Sequence, residues 1–202
     1  MRKTIIILFI AALQPLFAQQ ETLIRSDKFT SGGFGGPVLK YTSFNNSGAM
    51  IIGGRGGWII NHSFVLGGGG YGLTTQVPVD VLDGDIIIKD SDNLYIMYGG
   101  FEMEYIFRPL KVIHISIYTL LGGGSIGYRS EFQDNHYDCG YNMGKSFFIA
   151  EPAVNLELNV TTFFHLAFGA SYRYTNGANY KLINDDDIRG FSGIITVKFG
   201  RF

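Results

Sequence analysis

Residues 94–128 read LYIMYGGFEMEYIFRPLKVIHISIYTLLGGGSIGY. From Tyr95 to Phe107 the odd positions hold Tyr95, Met97, Gly99, Phe101, Met103, Tyr105 and Phe107, while the even positions include Glu102 and Glu104. After Arg108, Pro109, Leu110 and Lys111 the apolar set is Ile113, Ile115, Ile117 and Leu121, with His114, Ser116 and Tyr118 between its members. A period of two is the mark of a β-strand whose faces differ chemically, so the stretch reads as a hairpin. A soluble barrel would bury the aromatic face, whereas a membrane barrel would show it to lipid.

The same alternation extends to both sides. It predicts eight strands, at 34–44, 48–60, 64–75, 94–107, 112–128, 146–159, 163–174 and 190–202. Short connections follow the first strand and every even-numbered one (61–63, 108–111 and 160–162), and long ones follow the third, fifth and seventh (76–93, 129–145 and 176–189). In an up-and-down barrel, connections after odd strands share one end and those after even strands the other. The long loops therefore gather at one end, the asymmetry of an outer-membrane barrel with short periplasmic turns and longer extracellular loops.

The N-terminus agrees with export. Arg2 and Lys3 precede an apolar run that reaches Leu13 and ends at Ala18, which is the layout of a secretory signal peptide and too short to cross a bilayer. The expected organisation is a signal peptide at 1–18, a short polar periplasmic leader at 19–32 and a barrel at 33–202. Glycine contributes 28 residues, phenylalanine 17 and tyrosine 12, while charged residues make up only 16% against roughly 25% in ordinary soluble domains. A formal charge of -1 gives no electrostatic reason to expect a nucleic-acid partner. Cys139 is the single cysteine, which excludes an intramolecular disulfide and a thiolate metal cluster.

Sorting each strand by its more apolar face leaves the charges on the other. Lys40, Arg55, Glu102, Glu104, Glu151, Glu157, Arg173 and Lys198 fall there, four acids and four bases interspersed with small residues. Such a balanced set suits pairing inside a narrow lumen. The third strand, interrupted by Gly67 to Gly70, has no readable facing. The glycine runs at 53–57, 67–70 and 122–124 sit inside strands and lack the lysine and the helix start of a phosphate-binding loop. They read as relief of crowding in a small barrel.

On these features the chain resembles the small eight-stranded outer-membrane barrels of the OmpA/OmpX-like class, over Gly33 to Phe202. The resemblance implies an all-β, eight-stranded antiparallel up-and-down transmembrane β-barrel in the outer membrane, with lipid and lipopolysaccharide around it and no cofactor. It also implies that the terminal aromatic, Phe202, is the signal read by the barrel-assembly machinery, although Ile195, Val197 and Phe199 are one place out of register with it. Some barrels of this size act on lipid A, and His114-Ile115-Ser116 has the His-x-Ser look of the deacylases. Its place beside a periplasmic turn, facing the lumen, argues instead for a structural pairing of His114 with Glu104, and His165 near Glu157 invites the same reading.

The long loops are acidic, with Asp80, Asp83, Asp85, Asp90, Asp92 and Asp185 to Asp187, but lack the ligand spacing of a calcium loop, so no metal site is expected. Asp83, Asp85, Tyr137, Tyr141 and Tyr180 are the candidate contacts for an extracellular ligand. The function expected is non-enzymatic: envelope structure or surface interaction around a charge-plugged lumen. A lipid-modifying enzyme and a soluble lipocalin-like binder are the rivals.

Overall fold

An extended backbone is the conformation that sorts alternating aromatic and small or charged residues onto opposite faces. The computed structural model describes residues 30–44, 47–83, 86–130, 142–180 and 182–202. Its strands are β1 (Ser31–Phe44), β2 (Ser47–Ile60), β3 (Phe64–Leu73), β4 (Pro78–Asp83), β5 (Ile86–Phe107), β6 (Ile113–Ser130), β7 (Asn142–Asn159), β8 (Phe164–Asn176) and β9 (Gly190–Arg201). One four-residue helix, α1 (Asp185–Ile188), precedes β9.

Pairing is antiparallel throughout, in the order β3-β2-β1-β9-β8-β7-β6-β5-β4, and β3 also pairs with β5. That last pairing, from Phe64↔Tyr105 to Gly72↔Met97, closes the sheet on itself. The closed wall has eight strands: β1 to β3 and β5 to β9. β4 lies outside the wall and pairs with the first part of β5, from Pro78↔Asn93 to Asp83↔Ile86. Residues 76–93, expected as a long loop, are thus largely a β-hairpin standing on the rim.

The connections at 61–63, 108–112 and 160–163 lie together at one end, and the short β1–β2 connection lies at the other. At 61–63, Ser63 N–H donates to the Ile60 carbonyl (3.1 Å) with φ of 50° at Asn61 and 58° at His62, the backbone of a type I′ turn. Arg108 opens the β5–β6 turn at φ 52°. β1 begins and β9 ends at this same end, where Gly33 pairs with Arg201.

The facing of every wall strand is resolved. Ile52, Phe101, Ile117, Val154, Phe168 and Ile195 are exposed on the outside, and they belong to six different strands. Lys40, Glu151, Arg173 and Lys198 are wholly buried inside. The third strand follows the same rule: Val65 and Tyr71 point in, and Phe64 points out. Aromatic residues form a band near each rim, Tyr41, Tyr172, Tyr174 and Phe191 toward the loops and Trp58, Phe64, Tyr105, Phe107 and Phe199 toward the turns. Tyr172 meets Phe191 edge-on, and Tyr105 meets Phe107 in the same way. Amphipathic rings at two heights on an apolar wall are the girdles of a membrane barrel.

Candidate functional site

The lumen is layered, and its layers follow from where each strand puts its inward residues. Toward the loops it is apolar: Phe44, Ile51, Ile96, Ile126 and Ile149 meet Val77 and Val79 from the base of the rim hairpin and Ala178 and Ile188 from the β8–β9 connection. Toward the turns Phe34, Ile59, Val65 and Ile106 form a second cluster, against which Phe202 packs. Charge occupies the space between.

Two groups of ion pairs fill that middle layer. In the first, Arg55 Nε donates to Glu102 at 2.6 Å and its Nη2 to Glu104 at 3.2 Å, and Lys198 Nζ bridges Glu104 (2.8 Å) and Glu157 (2.7 Å). The Ser116 hydroxyl donates to Glu104 (2.6 Å) and lies within hydrogen-bond reach of Glu157. Tyr71 adds a hydrogen bond to Glu102 at 2.6 Å. In the second group, Glu151 accepts from Lys40 (2.9 Å), Tyr98 (3.0 Å) and Ser171 (2.5 Å). Aromatic faces take up the rest of the positive charge. The Lys40 ammonium sits 3.7 Å from the Tyr71 ring centroid, and the Arg55 guanidinium carbon sits 4.0 Å from that of Tyr118.

Seven of the eight charged residues expected in the lumen are therefore joined in ion pairs. Arg173 is the exception. It is fully buried, but its Nε donates to the Ile188 carbonyl (2.9 Å) and its Nη2 to Thr42 (3.2 Å), and it lies over the Phe44 ring. Among the described residues it makes no ion pair, and it ties α1 to the wall instead. His114 also differs from expectation: its partner is Glu157, at 3.5 Å, not Glu104. His165 stacks on Phe202 with ring centroids 3.5 Å apart and faces His114 edge-on, so it is not held by Glu157.

Ser116 and His114 both point into the packed lumen, and the serine hydroxyl is engaged by carboxylates rather than by the imidazole. No lipid ester can reach it there. Phe202 is half-buried under the barrel floor, stacked 6.1 Å from Phe34, rather than lying on the apolar wall. Of the loop candidates, Asp85, Tyr137 and Tyr141 lie outside the described residues, as do Cys139 and the segments 1–18 and 19–29. Asp83 ends β4. Tyr180 is half-buried and packs against Tyr128, centroids 5.3 Å apart, so less of it is available than expected. Among the described residues no group of three or more His, Cys, Asp or Glu side chains could hold a metal ion.

Sequence reasoning missed the lumen tyrosines Tyr71 and Tyr98 as partners of the glutamates. Tyr71 was hidden by the glycine run that obscures β3, while the even-numbered place of Tyr98 beside Glu102 and Glu104 was the available signal.

No protein-family model matches the chain and no curated protein matches it. Among solved structures it is similar to Neisserial surface protein A, with a TM-score of 0.55 and 11% identity over 86% of this chain and 98% of that one. It is also similar to the N-terminal β-barrel domain of Pseudomonas aeruginosa OprF, with a TM-score of 0.52 and 13% identity over 84% of this chain and 96% of that one. The chain has the fold of the eight-stranded outer-membrane barrels. At these identities the likeness is one of architecture, and it extends over nearly the whole of each neighbour.

Proposed function

We propose that this protein is a non-enzymatic barrel of the outer membrane, exported by residues 1–18, with its turns in the periplasm and its acidic loops at the cell surface. There it serves envelope structure or surface interaction. The carrying observation is the inversion of a soluble core: Lys40, Glu151 and Lys198 have no exposure at all, while Ile52, Phe101, Val154 and Ile195 lie open on the outer wall. A soluble monomer rarely exposes a contiguous apolar patch beyond a few hundred Å². Here the apolar surface runs round the barrel, and lipid is the solvent that suits it.

The lumen supports a closed role rather than a transport one. Eight strands enclose only enough space for side chains, and this space holds ion pairs between two apolar layers. Asp83, Asp85, Tyr137, Tyr141 and, through its remaining free surface, Tyr180 are the residues we assign to a surface partner. Outer-membrane lipid and lipopolysaccharide surround the wall, and Phe202 is assigned to recognition by the barrel-assembly machinery.

Membrane fractionation combined with proteolysis of intact cells tests location and orientation together. The expected result is recovery in the outer membrane with cleavage confined to the loops. Recovery in the soluble fraction would overturn the proposal. Lipid A mass spectra from cells with and without the gene should be identical, and a change in acylation would favour the lipid-modifying enzyme.

A further inference from the structure

The β5–β6 turn carries Arg108 and Lys111 and no acid, and the connections at 61–63 and 160–163 contain no carboxylate either. Both cations are exposed, and among the described residues neither side chain has a hydrogen-bond or ion-pair partner. The turn that presents them is braced from the barrel. Asn159 Nδ2 donates to the Pro109 and Lys111 carbonyls at 2.8 and 3.0 Å, and Lys111 N–H donates to the Arg108 carbonyl at 3.0 Å. The φ of 52° at Arg108 is costly for a residue with a β-carbon and cheaper for asparagine or glycine. Local backbone preference therefore gives no reason for an arginine at this position.

On the outer wall beside it, Phe107, Ile113, Ile115 and Leu156, with Arg108, line a groove of about 510 Å³. Its four apolar side chains are all exposed. An apolar trough with a fixed cationic edge has the shape and polarity of a phospholipid: chain along the wall, phosphate at the rim.

We infer that this groove binds one anionic phospholipid of the turn-side leaflet. The acyl chain lies against Phe107, Ile115 and Leu156, and the phosphate is held by Arg108 and Lys111. An anionic headgroup is preferred to a zwitterionic one because the turn offers two unpaired cations and no carboxylate to receive an ammonium. The inference rests on the membrane reading given above.

Native mass spectrometry of the purified full chain in detergent, offered phosphatidylglycerol and phosphatidylethanolamine of matched chains, tests it. Preferential retention of phosphatidylglycerol is expected, by roughly fivefold for each cation engaged. Arg108→Asn with Lys111→Gln should abolish the preference without lowering the melting temperature, because asparagine accepts the left-handed backbone. Arg201→Gln, on β9 across the barrel, should leave it intact. Equal retention of the two lipids by the unaltered protein, an unchanged preference in the double variant, or an equal loss in Arg201→Gln would each overturn the site. If the chain instead stays folded and monodisperse without detergent, the membrane reading has failed, which is a separate result.

Discussion

Glu151 shows what a buried carboxylate needs in a lumen closed to water. Lys40, Tyr98 and Ser171 all donate to it, and the residue is wholly buried. Desolvating two charges costs several kcal/mol per ion, so the pair as a whole adds little stability, whereas removing one partner leaves an uncompensated charge and costs about 3–5 kcal/mol. Lys40→Met should lose stability of that order in urea unfolding from lipid vesicles. Lys40→Met with Glu151→Gln should regain most of it, since an amide oxygen can still accept from Tyr98 and Ser171. Glu104→Leu should destabilise by about 3 kcal/mol, because Arg55, Lys198 and Ser116 each lose an acceptor. Unchanged stability in Glu104→Leu would remove the network from the account of how the lumen is held. The identities of these charged residues were legible in the alternation, because a period of two assigns a face with one unambiguous charge. Their partners were less so. Face says nothing of height along the barrel, which is why Arg173 finds the Ile188 carbonyl and His114 finds Glu157.

At the scale of the strand, the glycine run in β3 separates two physical roles that its sequence cannot distinguish. A β-carbon on Gly67 would run into the Gly56 carbonyl oxygen and come within 2.6 Å of the Gly57 α-carbon, both backbone atoms that cannot step aside. One on Gly70 would meet nothing within 4 Å. Gly67→Ala should therefore cost about 2 kcal/mol or more, or block assembly, while Gly70→Ala should fall within about 0.5 kcal/mol of the parent. Equal effects in a refolding assay would contradict the register of β2 and β3. The rim hairpin supplies a second test. Val77 and Val79 at its base are buried in the upper lumen, whereas β4 pairs with the first part of β5 and lies outside the wall. Replacing 80–91 by Asn-Gly should leave the melting temperature of the barrel unchanged, and Val77→Asp should lower it. The eight wall strands could be read from the sequence because each is long and bounded by turn residues. The hairpin could not, because the acids scattered from Asp80 to Asp92 give the stretch the composition of a solvated loop.

For the whole molecule, the central matter is which face meets which solvent. A barrel whose lumen were apolar throughout would offer two greasy faces to every strand, and a slip of one residue would cost little. Charges on the inward face make a slip place Glu102, Glu104 or Lys198 in lipid, and so they specify facing as well as closing the lumen. Trp58, the only tryptophan of the chain, reports on this directly. It is 47% exposed on the outer wall of β2, two residues from the turn-side end of that strand, and its indole N–H donates to Ser31 at 2.7 Å. The most direct measurement is its fluorescence in vesicles carrying lipids brominated at different depths. Strong quenching, greatest for bromines near the headgroup, together with little quenching by aqueous acrylamide, is the predicted result. Efficient quenching by acrylamide with none from the brominated lipids would contradict the assignment of the aromatic face to the membrane.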